Sequence, residues 1–268
     1  MECNSEKRTA AAVSVFESAL RLWGGLAPCR AHEDGGVLAV FTGALIADQN
    51  YALRTGSGDI KTMISKARNF FAYERSPFSW WTPPGPDAAG ESSEVVREGL
   101  PLLCSPPAML LPLGDGERDG AVPSGGEFLV CETASEADEW AAASMDGFGT
   151  GAEHGPPFRD FARAMATGPS GDKFRLITLR IERVAAATAM LILPGDTAGL
   201  FYFSVVPAFR RRSLGATLLD FTLDEARRTG CWAVALQASM MGAPLYRGAG
   251  FLDCGSFRVH ASEEALLF

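Results

Sequence analysis

Val205-Val206-Pro207-Ala208-Phe209-Arg210-Arg211-Arg212-Ser213-Leu214-Gly215-Ala216 is the stretch on which the fold turns. The apolar run Leu200–Val206 reads as a strand, and Pro207 stops sheet pairing because it has no N–H. A tight arginine-rich turn follows. A helix then opens, Leu214–Arg228, whose buried positions include Leu214, Leu218 and Phe221. Small residues at 213, 215 and 216 let the backbone approach a ligand. Free N–H groups at the positive end of a helix favour a pyrophosphate there. Alone the segment is weak, since a triple arginine is most often a solvated face and a strand–turn–helix with one glycine is common.

Outward from this stretch, the second half reads as alternating elements. Phe128–Cys131 is a strand, and Glu136–Met145 and Phe158–Met165 are helices with a glycine-rich loop, Gly147–Gly155, between them. Phe174–Ile181 and Val184–Leu193 pair as strands. Trp232–Gln237 is a strand, Met241–Gly248 a short helix and Phe251–His260 a final strand. That order predicts an α/β fold with a mixed central sheet flanked by helices. In the first half, Val13, Phe16, Leu20 and Trp23 mark a helix over Ala10–Trp23, and Ile60–Tyr73 is a second. Val37–Phe41 and Pro77–Trp81 read as strands and Ser92–Glu98 as a helix. Gly114–Gly126 is the best linker.

Length and composition set the frame. The 268 residues leave room for one large or two ordinary domains. With 47% hydrophobic and 21% charged residues the chain builds a core. The net charge of −8 gives no global attraction for nucleic acid or an anionic membrane. The halves do not differ, with 11 Lys/Arg against 15 Asp/Glu up to residue 124 and 13 against 17 beyond it. Six cysteines without a C-x-x-C pair read as reduced structural thiols of a cytoplasmic protein, and the three histidines lack metal-ligand spacing, so no metal is expected. The most apolar run, Leu100–Leu113, is too short and too interrupted by proline to span a membrane.

Two motifs in order lift the first stretch above its weak start. Pro207, Phe209, Arg210, Ser213 and Gly215 are followed by Gln237-Ala238-Ser239 and then by Leu245-Tyr246-Arg247-Gly248-Ala249-Gly250-Phe251. This order and spacing resembles the GNAT N-acetyltransferase superfamily over roughly residues 127–260. The resemblance implies an acyl-CoA N-acyltransferase fold, acetyl-CoA as cosubstrate and an amine as acceptor. It puts the pantetheine-binding strand on Phe203, Ser204 and Val205, and the pyrophosphate loop on Arg211, Arg212, Ser213, Leu214, Gly215 and Ala216. Tyr246 takes the place of a general acid near the coenzyme sulfur, and Ser239 stands where an asparagine is often found. Two departures stand out. Ser213 replaces the first glycine of the usual loop, and Trp232–Gln237 contains no acid where several family members keep a base. Glu132 and Asp253 are weak candidates, and neither is assigned.

The first half has neither motif. Pro77-Phe78-Ser79-Trp80-Trp81, Gly99-Leu100-Pro101 and Pro107-Ala108-Met109 resemble the degenerate first half of two-domain members. The expected division is a degenerate GNAT-like domain at 1–124 and an acetyl-CoA-binding domain at 125–268, the fold in tandem. The first half is expected to wall the acceptor side of the cleft. Trp80 and Trp81 point to opposite faces of their strand, and core or interface packing of both is the favoured reading. His154 reads as a solvated residue of a mobile loop, and His32 and His260 show no partner. The rivals to a direct-transfer enzyme are a non-catalytic acyl-CoA sensor and an interaction protein that keeps only the fold. A homodimer is left open.

Overall fold

Thirteen strands and seven helices alternate along the described residues of the computed structural model, which are 4–114, 116, 122–150 and 155–261. The first half runs α1 (Ser5–Gly24), β1 (Arg30–Asp34), β2 (Val37–Phe41), β3 (Tyr51–Arg54), α2 (Ile60–Glu74), β4 (Ser79–Thr82), α3 (Ala88–Arg97), β5 (Leu102–Cys104) and β6 (Pro107–Pro112). The second runs β7 (Gly126–Val130), α4 (Ala134–Phe148), α5 (Gly155–Thr167), β8 (Phe174–Ile181), β9 (Val184–Ile192), β10 (Thr197–Val205), α6 (Leu214–Arg228), β11 (Ala233–Gln237), α7 (Ala243–Gly248), β12 (Leu252–Ser256) and β13 (Arg258–Ala261).

The strands form two mixed sheets, in the orders β1-β2-β3-β4-β13-β5 and β12-β6-β11-β10-β9-β8-β7. Apart from the extra edge strand β7 of the second sheet, they repeat one plan. The parallel pair β3–β4 corresponds to β10–β11, and every other step along either sheet is antiparallel. Each sheet takes one strand from the other half. β6 lies between β11 and β12, with Ala235 opposite Leu110, and β13 lies between β4 and β5, with His260 opposite Trp80. A break at 124/125 in sequence is therefore crossed twice in space.

Burial explains the insertion of β6. In β6, Ala108 and Leu110 face one core while Met109 and Leu111 face another. A strand buried on both sides reads as a continuous apolar run, and its prolines sit at the ends, where they cost least in pairing. β6 is the second part of the apolar segment Leu100–Leu113, whose first part forms the exposed strand β5. The predicted single strand Phe251–His260 is instead two strands, β12 and β13, one in each sheet.

Three cores stack between the layers. One joins the two sheets, with Phe16, Leu20 and Trp23 of α1 against Leu38 and Val40 on one side and Leu110 and Ile192 on the other. A second packs α6 on the far face of its sheet through Leu214, Leu218 and Leu223. Phe221 of α6 is only half-buried and stacks on Phe128, ring centroids 4.0 Å apart. The third packs α2 and α3 on the far face of the first sheet. The expected loop 147–155 is helical at both ends, since Gly147 and Phe148 close α4 and Gly155 opens α5. Residues 151–154, His154 among them, and much of the expected linker (115 and 117–121) lie outside the described residues.

Candidate active site

The parting of β10 from β11 makes the cleft. The two strands pair only at Thr197, Ala198 and Gly199, so from Leu200 to Val205 β10 has no strand partner on that edge. On its other edge β10 follows β9 through a bulge between Phe201 and Ser204. Tyr202 sits in that bulge at φ +45°, a left-handed conformation unusual for a bulky residue. A cavity of about 450 Å³ opens there, lined by Phe203, Gln237, Ala238, Ser239 and Tyr246 on one side.

Of the residues expected to hold the coenzyme, Phe203 and Ser239 line the cavity, and the turn before α6 lies beside it, Gly215 against Phe203 and Val205. Arg211 and Ser213 both hold positive φ, +64° and +59°, between the strand and α6. No side chain caps α6, and its first intrahelical bond runs from the Thr217 N–H to the Ser213 carbonyl at 3.2 Å. The N–H groups of Leu214, Gly215 and Ala216 therefore lead the helix with its positive end open. Gly215 faces Phe203, Val205 and Leu245, which closes the helix start onto the strand and the second motif. The corresponding turn of the first half differs. There the Asp59 carboxylate accepts the Thr62 N–H of α2 at 2.9 Å, so a negative charge already occupies that helix end.

The arginines divide their work. Arg210 turns back into the fold, donating to the Val205 carbonyl at 3.0 Å and the Gly147 carbonyl at 2.7 Å. Gly147 has to be glycine for this approach, because a Cβ would collide with the Ser204 hydroxyl. Ser204 is buried and its hydroxyl pairs with that of Thr188 at 3.0 Å. Arg211 and Arg212 are exposed beside the helix start, with Arg212 lying over the Phe209 ring at 5.4 Å.

Tyr246 is buried on α7, edge-on to Phe203 at 5.9 Å and to Phe251 at 5.6 Å. Burial pushes its phenol well above the ordinary tyrosine range, so it stays protonated at neutral pH. Ser239 accepts the Gly242 N–H at 3.0 Å, which fixes the turn into α7 that presents Tyr246. Neither weak candidate for a base lines the cavity. Asp253 pairs with Arg247 at 3.1 Å, and Glu132 precedes the capping box of α4.

The opposite wall comes from the first half, through residues the sequence did not assign to a site. Phe16 of α1, Asp48 on a short 3-10 turn, Tyr51 of β3 and Trp81 of β4 all line it. Trp81 faces the cavity and stacks near Phe16 at 5.0 Å, while Trp80 is wholly buried in the outer core with its indole N–H on Glu91 at 3.3 Å. The alternation of the tryptophan pair was the usable signal. For Asp48 there was none. Cys104 is the thiol lining the cavity among the described residues, and burial raises its pKa, which disfavours the thiolate. His260, read as partnerless, is wholly buried, with its ring nitrogens 3.1 Å from Ser92 Oγ and the Leu100 carbonyl. Among the described residues no group of histidine, cysteine or acidic side chains is placed to hold a metal, and no helix is long and apolar enough to cross a membrane.

Comparison with known proteins agrees with this geometry. Residues 117–239 match the family model described as an acetyltransferase (GNAT) domain. A curated relative, the [ribosomal protein bS18]-alanine N-acetyltransferase of Salmonella typhimurium, is 31% identical over 87 residues, covering 31% of this chain and 59% of its own length. The chain thus spans about three fifths of that relative. Among solved structures, a GCN5-related N-acetyltransferase from Kribbella flavida aligns over 94% of this chain and 96% of its own, with TM-score 0.69 and 18% identity. A tandem GNAT protein from the clavulanic acid biosynthesis pathway aligns over 84% and 78%, with TM-score 0.58 and 13% identity. At these identities the likeness is one of fold.

Proposed function

We propose that the second half of the chain is a GNAT N-acetyltransferase unit that moves the acetyl group of acetyl-CoA directly onto an amine, a reading supported by the acetyltransferase family model matched over residues 117–239. The observation that carries this reading is the meeting of three features at one cleft. They are the unpaired edge of β10, the uncapped start of α6 and the protonated phenol of Tyr246. In this reading the pantetheine arm lies along Phe203, Ser204 and Val205. The pyrophosphate sits on the N–H groups from Arg211 to Ala216, with Arg211 and Arg212 beside it. The Val205 carbonyl is already taken by Arg210, so the arm uses the remaining backbone groups of that edge.

The chemistry follows from the thioester. A neutral amine attacks the carbonyl carbon, the C–N bond forms and an oxyanion develops. The C–S bond then breaks, and the thiolate takes the proton of Tyr246, while the amine's proton passes to solvent and the phenol is reprotonated. No covalent enzyme intermediate is needed, which agrees with the raised pKa of Cys104. The cytoplasmic setting expected from the thiols belongs to the same reading. A sensor that binds acyl-CoA without turning it over is the second reading, favoured by one observation: β11 brings no carboxylate to the cleft.

Replacing Tyr246 with Phe tests the assignment. Loss of general acid catalysis is expected to cut coenzyme-thiol release by roughly 10²–10⁴-fold with acetyl-CoA binding retained. An unchanged rate removes Tyr246 from the chemistry. Binding without turnover by the wild type, across an amine panel, favours the sensor.

A further inference from the structure

The cavity's walls carry information about the acceptor that the coenzyme motifs do not. Nearly half of the residues lining it are aromatic, against 10% of the chain. On the side away from Tyr246 the rings hold one another in place. Phe16 lies 5.0 Å from Trp81, Tyr51 lies 5.8 Å from Trp81, and Phe158 lies 5.1 Å from Tyr202. The Trp81 indole is further fixed by donating to the Ser79 hydroxyl at 2.8 Å. These rings come from both halves of the chain, so the wall exists only when the two are assembled.

Within this apolar wall, Asp48 is the only charged side chain among the described residues that line the cavity, and no lysine or arginine does. Asp48 shares the cavity lining with Tyr51 and with Tyr202, the residue in the bulge between β10 and β9. A single negative charge beside electron-rich ring faces suits one ammonium group. A polyamine would bring further charges with no second carboxylate in the lining to pair them. A peptide amino terminus would bring carbonyl and N–H groups with few polar partners on this wall, and burying such groups unpaired is costly.

We propose that the acceptor is a primary amine on an aromatic or equally apolar body with no second charge, its nitrogen directed by Asp48 and its body held by Trp81, Tyr51 and Phe16. The assignment rests on the acetyl-transfer reading above and specifies its substrate class.

The test compares 2-phenylethylamine with spermidine and an alanine-terminated peptide as acceptors, following thiol release from acetyl-CoA. The expected result is a kcat/KM for 2-phenylethylamine at least about tenfold above either comparator, the size of one desolvated cation–ring contact. Asp48→Asn and Trp81→Ala are each expected to raise the KM for 2-phenylethylamine about tenfold while leaving the KM for acetyl-CoA unchanged. Asp48 lies on an exposed turn, so its variant keeps the test sound if Trp81→Ala fails to fold. The acceptor class is overturned if spermidine or the peptide is used as well or better, if Asp48→Asn leaves the amine KM unchanged, or if acetyl-CoA raises the melting temperature yet 2-phenylethylamine is never acetylated. If acetyl-CoA does not raise the melting temperature, the acetyl-transfer reading fails, and the acceptor class with it.

Discussion

Ser213 stands in the left-handed region, at φ +59° and ψ +7°, directly before α6. For a residue with a side chain that conformation costs roughly 1–2 kcal/mol, whereas glycine adopts it freely. Part of any gain from glycine is lost to the greater freedom of the unfolded chain. Ser213→Gly is therefore expected to raise the unfolding free energy by about 0.5–1 kcal/mol, read from the urea midpoint at constant slope. Ser213→Val is expected to lower it by about 1–2 kcal/mol, because a β-branched residue fits that region worst. Strain kept beside an open helix end is the pattern expected where a loop is shaped for a ligand. At this scale the proposed coenzyme side could be read as one stretch, because most of the residues assigned to it are contiguous. Arg210 was less legible, since nothing local shows that it turns back to Gly147, a residue of another element. Asp48 was invisible, because its meaning comes only from the rings that surround it in space.

His260 shows how a single element holds the halves together. It lies on β13, opposite Trp80 of β4, with Nε2 accepting from Ser92 Oγ and Nδ1 donating to the Leu100 carbonyl. Burial lowers its pKa below the ordinary histidine value of 6.5. The folded protein therefore binds fewer protons than the unfolded chain just below pH 6.5, and stability falls as pH drops through that window. Above it the contribution is fully present. His260→Asn is expected to be less stable at neutral pH but to lose that slope, as measured by denaturant titrations at a series of pH values. An equal slope in wild type and variant contradicts the buried, neutral assignment. The strand itself was only half legible. Apolar patterning marked Phe251–His260 as sheet and Leu100–Leu113 as an apolar run too short and interrupted to span a membrane, but periodicity reports burial and not partners. The break between β12 and β13 and the exchange with β6 depend on pairings far apart in the chain.

The two sheets repeat one topology, and each is completed by a strand from the other half of the sequence. With α1 packed between them and a core shared by both, the expected behaviour is a single cooperative unfolding transition. Fragments 1–124 and 125–268 are expected not to fold when made separately, and to recover a cooperative melt when combined, as strand-exchanged parts do. A cooperative melt from either fragment alone contradicts this interlocking. The repeat was hard to see in sequence because the halves share no motif. What they share is the order of pairing, while the helix start after β10 has no side-chain cap and the one after β3 is capped by Asp59. The central claim is that this remaining open helix start and the β10–β11 cleft bind acetyl-CoA. The most direct measurement is the melting curve of the intact chain with and without millimolar acetyl-CoA. At about 100 times the Kd the ligand should add about 2.7 kcal/mol and move the midpoint upward by several degrees. A midpoint that does not move at that concentration contradicts the account.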